Sequence, residues 1–335
     1  MTTPASTTVP ISFVHNLLQG TTLTGTRREA AVEKAGIAPA LLEAETARVT
    51  TEQFATLYRH LARELDDELP GMFSRPVRAG AFKFLCLSLL ESANLQTALF
   101  RFTRFFHLVL EDLAIDLSRQ DGLIRMALIP QVPLAARNTF AQEIMLKLIH
   151  GVASWLTGHK LPLARVDFAY PRPRHASEYV FLYPGPVHFD QPQTAIYFEA
   201  AQLATPIRQD KHSLGTFLSR APGDWLFVSF AERIVSHRVR ETLEKYLHQP
   251  TSIEDVATAL HTSVRTLSRH LREEGATFQG IKDELRRDVA IQRLTKTNTP
   301  IAVIGNEVGF DDPTTFHRAF RKWTGSTPGA YRLRR

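Results

Sequence analysis

Residues 301–332 read IAVIGNEVGFDDPTTFHRAFRKWTGSTPGAYR and hold two apolar stripes at helical spacing, separated by a turn. The stripes consist of Ile301, Ile304 and Val308, then Phe316, Ala319, Phe320 and Trp323. Asp312 is placed to cap the second helix, and Pro313 takes its first position, where a missing N–H costs nothing. The stretch therefore predicts a helix, a tight turn and a second helix.

A similar pair lies upstream, in residues 252–274. Its stripes consist of Ile253, Val256, Ala257 and Leu260, then Val264, Leu267 and Leu271. His261-Thr262-Ser263 interrupts the pattern, and Ser263 is suited to cap the helix that follows. The chain thus carries two helix pairs in tandem.

The second helix of each pair turns polar side chains away from its stripe. These are Arg265, Ser268, Arg269 and Arg272 in the first pair and Thr314, His317, Arg318 and Arg321 in the second. A single polar helix face of this kind is most often exposed to solvent and has no binding role. Two faces in tandem, both rich in arginine and short hydroxyl residues, favour contacts with phosphates and base edges.

From about Arg233 to Arg335 the sequence resembles the DNA-binding domain of the AraC/XylS family of bacterial transcription regulators. The resemblance is most specific in the Gly309-Phe310 turn, the spacing from Phe316 to Phe320, and the Gly325, Pro328 and Tyr331-Arg332 positions. In that family one long helix, here about Phe278 to Leu294, joins two helix-turn-helix units. Their second helices, here about 264–274 and 313–323, then enter successive major-groove segments.

Residue by residue, the resemblance implies two sets of DNA contacts. Base readers would be Arg265, Ser268 and Arg269 in the first recognition helix and Thr314, His317 and Arg318 in the second. Phosphate contacts would be Arg272, Arg321 and Lys322. Three positions depart from the family pattern: His261 stands where glycine is frequent, Gly305 where alanine is common, and Pro313 where a polar residue is usual.

The charge of the chain is concentrated in the same region. The 335 residues carry a net charge of +6, and residues 233–335 hold 18 Lys and Arg against 12 Asp and Glu, so the remainder is neutral. Arginine outnumbers lysine there, which favours forked recognition of phosphate and guanine. The partner predicted from this distribution is double-stranded DNA.

Upstream, the sequence predicts an α+β domain at 11–205, after a disordered segment at 1–10 and before a linker at 206–232 with one or two short helical turns. The expected helices span about 11–18, 27–35, 51–65, 81–90, 95–109 and 134–156. A hairpin at 113–129 and strands at 165–170, 187–189 and 195–198 indicate an antiparallel sheet. An all-α domain with two helix-turn-helix units, 233–335, completes the expected fold.

This region resembles, more loosely, the arabinose-binding-type domain of one AraC subgroup, in which effectors vary widely. Phe102, Phe105 and Phe106 form an aromatic cluster for which core packing is the default and a wall of an effector cavity is the alternative. Cys86 lies in an apolar run and is interpreted as a buried structural thiol. No cofactor or metal is predicted.

Three functions remain open: an effector-controlled regulator, a regulator whose first domain only oligomerises, and an enzyme fused to a DNA-binding domain. The enzyme is disfavoured because Cys86, the only cysteine of the chain, is interpreted as a core residue. The sequence also has no P-loop, dinucleotide glycine pattern, nucleophile elbow or HExxH sequence. Neither a run of about 18 apolar residues nor a signal-peptide pattern occurs, which predicts a cytoplasmic protein at the nucleoid with no membrane partner. A small-molecule effector, RNA polymerase and a second copy of the chain are further candidate partners.

Overall fold

The computed structural model describes residues 8–131, 139–173, 175–183, 185–227, 235–247, 249 and 251–332. The helices are α1 Ile11–Gln19, α2 Gly25–Lys34, α3 Thr51–Leu65, α4 Ala81–Leu90, α5 Leu95–Val109, α6 Thr139–Thr157, α7 Tyr179–Leu182, α8 Lys211–Arg220, α9 Gly223–Leu226, α10 Val235–Lys245, α11 Ile253–Ala259, α12 Val264–Glu273, α13 Phe278–Lys296, α14 Ile301–Glu307 and α15 Pro313–Thr324. The strands are β1 Thr8–Pro10, β2 Arg48–Thr50, β3 Leu113–Gln120, β4 Leu123–Pro130, β5 Arg165–Asp167, β6 Val187–His188 and β7 Ala195–Glu199. Residues 134–138 of the expected helix 134–156 lie outside the described residues. Every described helix is too short or too polar to cross a bilayer.

The chain forms two compact units that do not follow chain order. Unit 1 comprises residues 1–14, 29–54 and 230–335, and unit 2 comprises residues 15–28 and 55–229. The domain boundaries predicted from the sequence follow chain order. They do not include an N-terminal segment in the unit that carries both helix-turn-helix pairs.

The N-terminal part of unit 1 is a two-stranded antiparallel sheet in which Thr8 pairs with Thr50 and Pro10 with Arg48. The predicted disorder of residues 1–10 is therefore wrong for Thr8–Pro10, since these residues are held by the β2 ladder. The backbone N–H of Arg48 also donates to the hydroxyl of Tyr331, at 3.1 Å. Strand β2 is thus tied to the end of the second helix-turn-helix pair.

The two helix-turn-helix pairs have separate cores within unit 1. The first core consists of Val239, Leu243, Val256, Ala257, Leu267, Leu271, Ile281 and Leu285. The second contains an aromatic series in which Phe316 lies 5.7 Å from Phe320, and Phe320 lies 5.2 Å from Tyr331, between ring centroids. Helix α13 contributes to the first core and runs on to the second pair, where Ile291 and Leu294 are buried. The predicted joining helix is therefore present.

Asp288 on α13 is the centre of a buried ionic cluster. Its carboxylate accepts from Arg240 at 2.7 Å, from Arg287 at 3.1 Å and from the Thr8 hydroxyl at 2.5 Å. The guanidinium of Arg48 lies 4.0 Å away and itself donates to the Thr8 hydroxyl and carbonyl. Because Asp288 is only 1% exposed, this carboxylate joins α13 to α10 and to the β1–β2 sheet with little screening by solvent.

Unit 2 contains a five-stranded sheet in the order β3-β4-β7-β5-β6. All neighbouring pairs are antiparallel except β5 and β6, which are parallel. The β3–β4 hairpin turns at Asp121-Gly122, where both residues have positive φ. The predicted α+β class is confirmed, together with the hairpin.

Residues 211–226 pack into unit 2, although the sequence analysis assigned them to a linker with short helical turns. Helix α8 is ten residues long, and Phe217 on it stacks on Trp155 with ring centroids 4.3 Å apart. Trp225 is buried, and a Cβ on Gly151 would lie 2.3 Å from its carbonyl oxygen. The linker prediction is wrong for this stretch because Phe217 buries its ring against α6, and Trp225 buries its ring against Tyr58 of α3 and Phe82 of α4.

Candidate DNA-binding interface and ligand cavity

The two helix-turn-helix pairs are built alike, down to individual hydrogen bonds. At the first turn the N–H of Thr262 donates to the Ala257 carbonyl at 2.9 Å, and at the second the N–H of Phe310 donates to the Gly305 carbonyl at 3.0 Å. The residue before each donor is left-handed: His261 has φ +53° and Gly309 has φ +80°. His261 therefore occupies a conformation that favours glycine.

We expect His261→Gly to raise the free energy of unfolding by about 0.5–1 kcal/mol, because glycine relieves the left-handed strain and only part of that gain is lost to backbone entropy. Chemical denaturation of the full chain measures the change. Ala259→Gly, on the exposed side of α11 next to the turn, should instead lower stability by about 1 kcal/mol. Equal losses from both substitutions would contradict the assigned strain.

Gly305 has a packing role that the sequence did not reveal. A Cβ at this position would lie 3.2 Å from the Phe316 ring, so α14 approaches α15 where no side chain intervenes. The departure from the family's alanine is thus matched to the bulky Phe316. Pro313 opens α15, and Asp312 caps it by accepting from the Thr315 N–H at 2.7 Å. Hydrogen bonds from the Thr315 hydroxyl and amide lower the pKa of Asp312, so the cap is charged at neutral pH.

The predicted DNA-contacting residues lie on the outer faces of α12 and α15. Ser268 is half-buried. The other predicted contact residues are all exposed: Arg265, Arg269, Arg272, Thr314, His317, Arg318, Arg321 and Lys322. Arg269 pairs with Glu273, one turn along α12, at 3.8 Å. The other four arginines form no ion pair with the described residues. The structure brings the first set together on one helix face and the second set on another, and their DNA contacts remain predictions.

Unit 2 contains a mainly apolar cavity of about 330 Å³ that is partly open to solvent. Its lining comes from α3, α4, α5, α6, the α8–α9 stretch and the loop after α3. Phe105 and Phe106, two of the three aromatic candidates for an effector cavity, lie in this wall. Phe102 is not among the described lining residues; it is buried and packs on Phe106 with centroids 4.8 Å apart. Phe102 is therefore a core residue and not part of the described cavity wall.

Sequence reasoning missed a buried polar stripe on α6. Glu143 accepts from the Tyr179 hydroxyl at 2.6 Å, Lys147 donates to the Leu182 carbonyl at 2.6 Å, and His150 bonds the Leu161 carbonyl at 2.8 Å. Burial lowers the pKa of Lys147 to about 7 and that of His150 to about 3. The signal was present as charged residues at helical spacing inside an apolar helix. The stripe anchors Leu161, Tyr179 and Leu182 to α6.

Cys86 is fully buried on α4, as expected for a structural thiol. Burial raises the pKa of its thiol to about 12, so the nucleophilic thiolate is scarce at neutral pH. An enzymatic role for this residue has no chemical basis in its surroundings.

Two family models match the chain. Residues 25–207 match the arabinose-binding domain of AraC transcription regulators, at their N-terminus, and residues 256–334 match a helix-turn-helix domain. The chain belongs to the AraC family of transcription regulators. Its helix-turn-helix region is the DNA-binding domain of such a regulator, and its relatives are regulators rather than enzymes.

Three known proteins are similar to this chain. The ornithine utilization regulator of Pseudomonas aeruginosa is 29% identical over 325 residues, which cover 97% of this chain and 96% of the relative. The RCS-specific activator RclR of Escherichia coli is 27% identical over 36% of this chain and 45% of its own length. The crystal structure of the regulator CdpR from Pseudomonas aeruginosa covers 96% of each chain, with 20% identity and a TM-score of 0.34.

Proposed function

We propose that this AraC-family regulator binds DNA through α12 and α15 together, each in one of two successive major-groove segments. The proposal is supported chiefly by the matched construction of the two pairs. Both helices begin at a side-chain cap, follow a left-handed residue and expose arginines at equivalent positions. Helix α13 has 19 residues and a length of about 28 Å, which suits a spacing of about one DNA turn, roughly 34 Å.

The base-reading role belongs to the residues nearest the start of each recognition helix. Arg265, Ser268 and Arg269 would read one segment, and Thr314, His317 and Arg318 the other. Arginine can form two hydrogen bonds with guanine, whereas the hydroxyl and imidazole groups suit several bases. The phosphate contacts would come from Arg272, Arg321 and Lys322, which lie further along the helices.

Unit 2 is proposed to bind a small effector in its cavity and thereby change the affinity for DNA. The cavity supports this role, since ligand sites are usually concave, largely apolar and a few hundred Å³ in volume. The alternative is a regulator whose first domain only oligomerises. A bound effector would raise stability by about 2.7 kcal/mol at one hundred times its dissociation constant, whereas the alternative predicts no such ligand.

The relative's name adds one compound to an effector screen. A regulator that is 29% identical over nearly the whole chain is named for ornithine utilization, so ornithine should be included. RNA polymerase and a second copy of the chain are proposed as further partners, and the nucleoid of the cytoplasm as the place of action. These partners are expectations from the family.

The DNA-binding part is tested with the purified full chain on its own upstream intergenic DNA and on random DNA, over a salt series. We expect a steep salt dependence and a preference of about a thousandfold or more for the cognate fragment. The measurement is repeated with each compound of the screen, because an effector can be required for tight binding. Equal, weak binding to both DNAs under all these conditions would contradict sequence-specific regulation by this region.

A further inference from the structure

The cavity of unit 2 has an interior in which the polar groups are already satisfied. The Glu68 carboxylate accepts from the backbone N–H groups of Gly80 at 2.9 Å and Phe82 at 2.6 Å. The Tyr58 hydroxyl donates to the Glu68 carbonyl at 2.8 Å. Neither group requires a ligand to replace lost hydrogen bonds, and the only carboxylate among the described lining residues is directed to the backbone. The interior therefore favours an apolar ligand body.

The other charged side chains that the structure describes in the lining are all cations: Arg59, Arg63 and Lys83. Arg59 is half-buried and donates to the Ala221 carbonyl at 3.3 Å and to the Thr56 hydroxyl at 3.1 Å. Arg63 and Lys83 are exposed, and their side chains form no hydrogen bond or ion pair with the described residues. Three cations without a carboxylate partner in the lining of an apolar cavity favour an anionic group in the ligand.

Rings form much of the wall. Tyr58 and Trp225 meet edge to face with centroids 6.1 Å apart, and Phe82 lies 6.5 Å from Trp225. Phe105 and Phe106 complete the aromatic surface. Aromatic walls favour a ring in the ligand, because edge-to-face and offset contacts add to the area buried. A volume of 330 Å³ corresponds to about eleven water molecules at ~30 Å³ each, hence to a ligand of about ten non-hydrogen atoms.

We propose that the cavity binds a small organic acid with an apolar, ring-bearing body, whose carboxylate is held by Arg59, Arg63 and Lys83. This inference rests on the proposed effector control and specifies its ligand class. The ring packs against the aromatic wall, and the carboxylate lies at the three cations. There, charge-assisted hydrogen bonds replace the hydrogen bonds that the carboxylate makes with water. Ornithine, a diamino acid, carries a carboxylate but has a net positive charge and no ring, so it is disfavoured at this site: its ammonium groups would lie near like charges, and its body would not pack on the aromatic wall.

The test uses three probes of one shape and different charge: 4-phenylbutyrate, 4-phenylbutanamide and 4-phenylbutylamine, with ornithine as a fourth compound. Calorimetric titration of the full chain gives each dissociation constant, and thermal denaturation gives the stabilisation. We expect the acid to bind at least about tenfold more tightly than the amide, and the amine and ornithine to bind more weakly still. A tighter amine or ornithine, equal binding of acid and amide, or no binding of any probe would overturn the proposed ligand class.

Two kinds of variant locate the binding. Arg63→Gln combined with Lys83→Gln should weaken the acid about tenfold and leave the amide unchanged, whereas Arg104→Gln, a matched exposed arginine on α5 outside the lining, should change neither. Ala62→Phe fills the cavity and should abolish binding of both acid and amide. Unchanged acid binding in the double variant or in Ala62→Phe would overturn the site.

DNA binding is measured in parallel, so that the proposed ligand class and the proposed effector role can be rejected independently of each other. If the acid binds as expected but leaves DNA affinity unchanged, the effector role is overturned and the ligand class stands. If the ligand class fails while cognate DNA is still bound selectively, the proposed regulator keeps its DNA-binding function and requires a different ligand.

Discussion

Asp288→Ala is expected to lower the free energy of unfolding of unit 1 by about 3–5 kcal/mol, the largest effect of any single substitution considered for this chain. Without the carboxylate, Arg240 and Arg48 keep buried positive charges that lose their common counter-charge, and Arg287 loses its 3.1 Å contact. The hydroxyl of Thr8 also loses its acceptor. Such a loss is severe relative to a typical stability of about 5–15 kcal/mol.

The measurement is urea denaturation of the full chain, with Asp283→Ala as the matched control on the same helix. Asp283 is only partly buried and accepts a 2.8 Å hydrogen bond from Gln279 one turn away, so its loss should cost about 0.5 kcal/mol. We also expect Asp288→Ala to weaken DNA binding, since α13 sets the spacing between the recognition helices. Similar stabilities of the two variants would show that the cluster does not hold unit 1 together.

The same cluster gives a pH dependence with a definite sign. Burial alone would raise the pKa of Asp288, but the guanidinium groups of Arg287, Arg240 and Arg48 lower it to about 2. Because the folded pKa lies below the unfolded value of about 3.9, the stabilisation is complete above the unfolded pKa and is lost as the pH falls through about 2. Asp288→Asn should remove this part of the acid dependence while retaining most of the side-chain volume.

Arg269→Ala and Arg318→Ala are each expected to weaken binding to the cognate DNA by about 1–3 kcal/mol and to relax preference at one base position. Arg321→Ala should weaken cognate and random DNA alike, because a phosphate contact carries no sequence information. The difference between these variants arises from position on the helix. Arg269 and Arg318 occupy equivalent places in α12 and α15, whereas Arg321 lies further along α15. Competition binding with single-base variants of the site measures both effects.

Arg238→Ala serves as the charge-matched control for these three variants. Arg238 is exposed on α10, outside both recognition helices, and its removal changes the net charge by the same amount. It should leave base preference intact and alter affinity only through the general electrostatic contribution. Equal losses on cognate and random DNA for Arg269→Ala, Arg318→Ala and Arg321→Ala would contradict the assigned division between base and phosphate contacts.

Local signals account for what the sequence predicted well. These signals are the caps at Ser263 and Asp312, the apolar stripes and the turn glycine. They act over one or two helical turns, so they could be recognised without knowledge of tertiary contacts. The left-handed His261 illustrates the same point: its departure from glycine was visible, and the structure supplies the positive φ that explains it. The positions of α12 and α15 follow from such short-range rules, whereas that of α13 was implied by the family resemblance.

Long-range contacts could not be predicted from local sequence patterns. Thr8 and Asp288 are 280 positions apart in the chain, and nothing in either neighbourhood indicates that they meet. A short polar segment at a terminus is usually disordered, but here the β2 ladder and the arginine cluster hold Thr8–Pro10. Similarly, the apolar residues of 211–226 were read as helical turns in a linker because their burial partner, α6, lies elsewhere in the sequence.

The cavity was only partly predictable for a related reason. The aromatic run of α5 was visible, but which rings face a cavity depends on the neighbouring helices: Phe105 and Phe106 do so, whereas Phe102 packs inward. The three cations of the lining come from α3 and α4 and were not singled out, since charged residues on a helix surface are ordinarily solvated. They bear on the choice of ligand only because all three line one apolar cavity.

The most direct test of the central claim is a footprint of the full chain on its preferred DNA, obtained by selection from random sequence. Two protected major-groove segments on one face, about one helical turn apart, are predicted, with Arg269→Ala relaxing one segment and Arg318→Ala the other. Inserting five or ten base pairs between the segments should abolish their joint protection by one chain, because α13 fixes the distance. A single protected segment, or two segments that tolerate either insertion, would contradict the account.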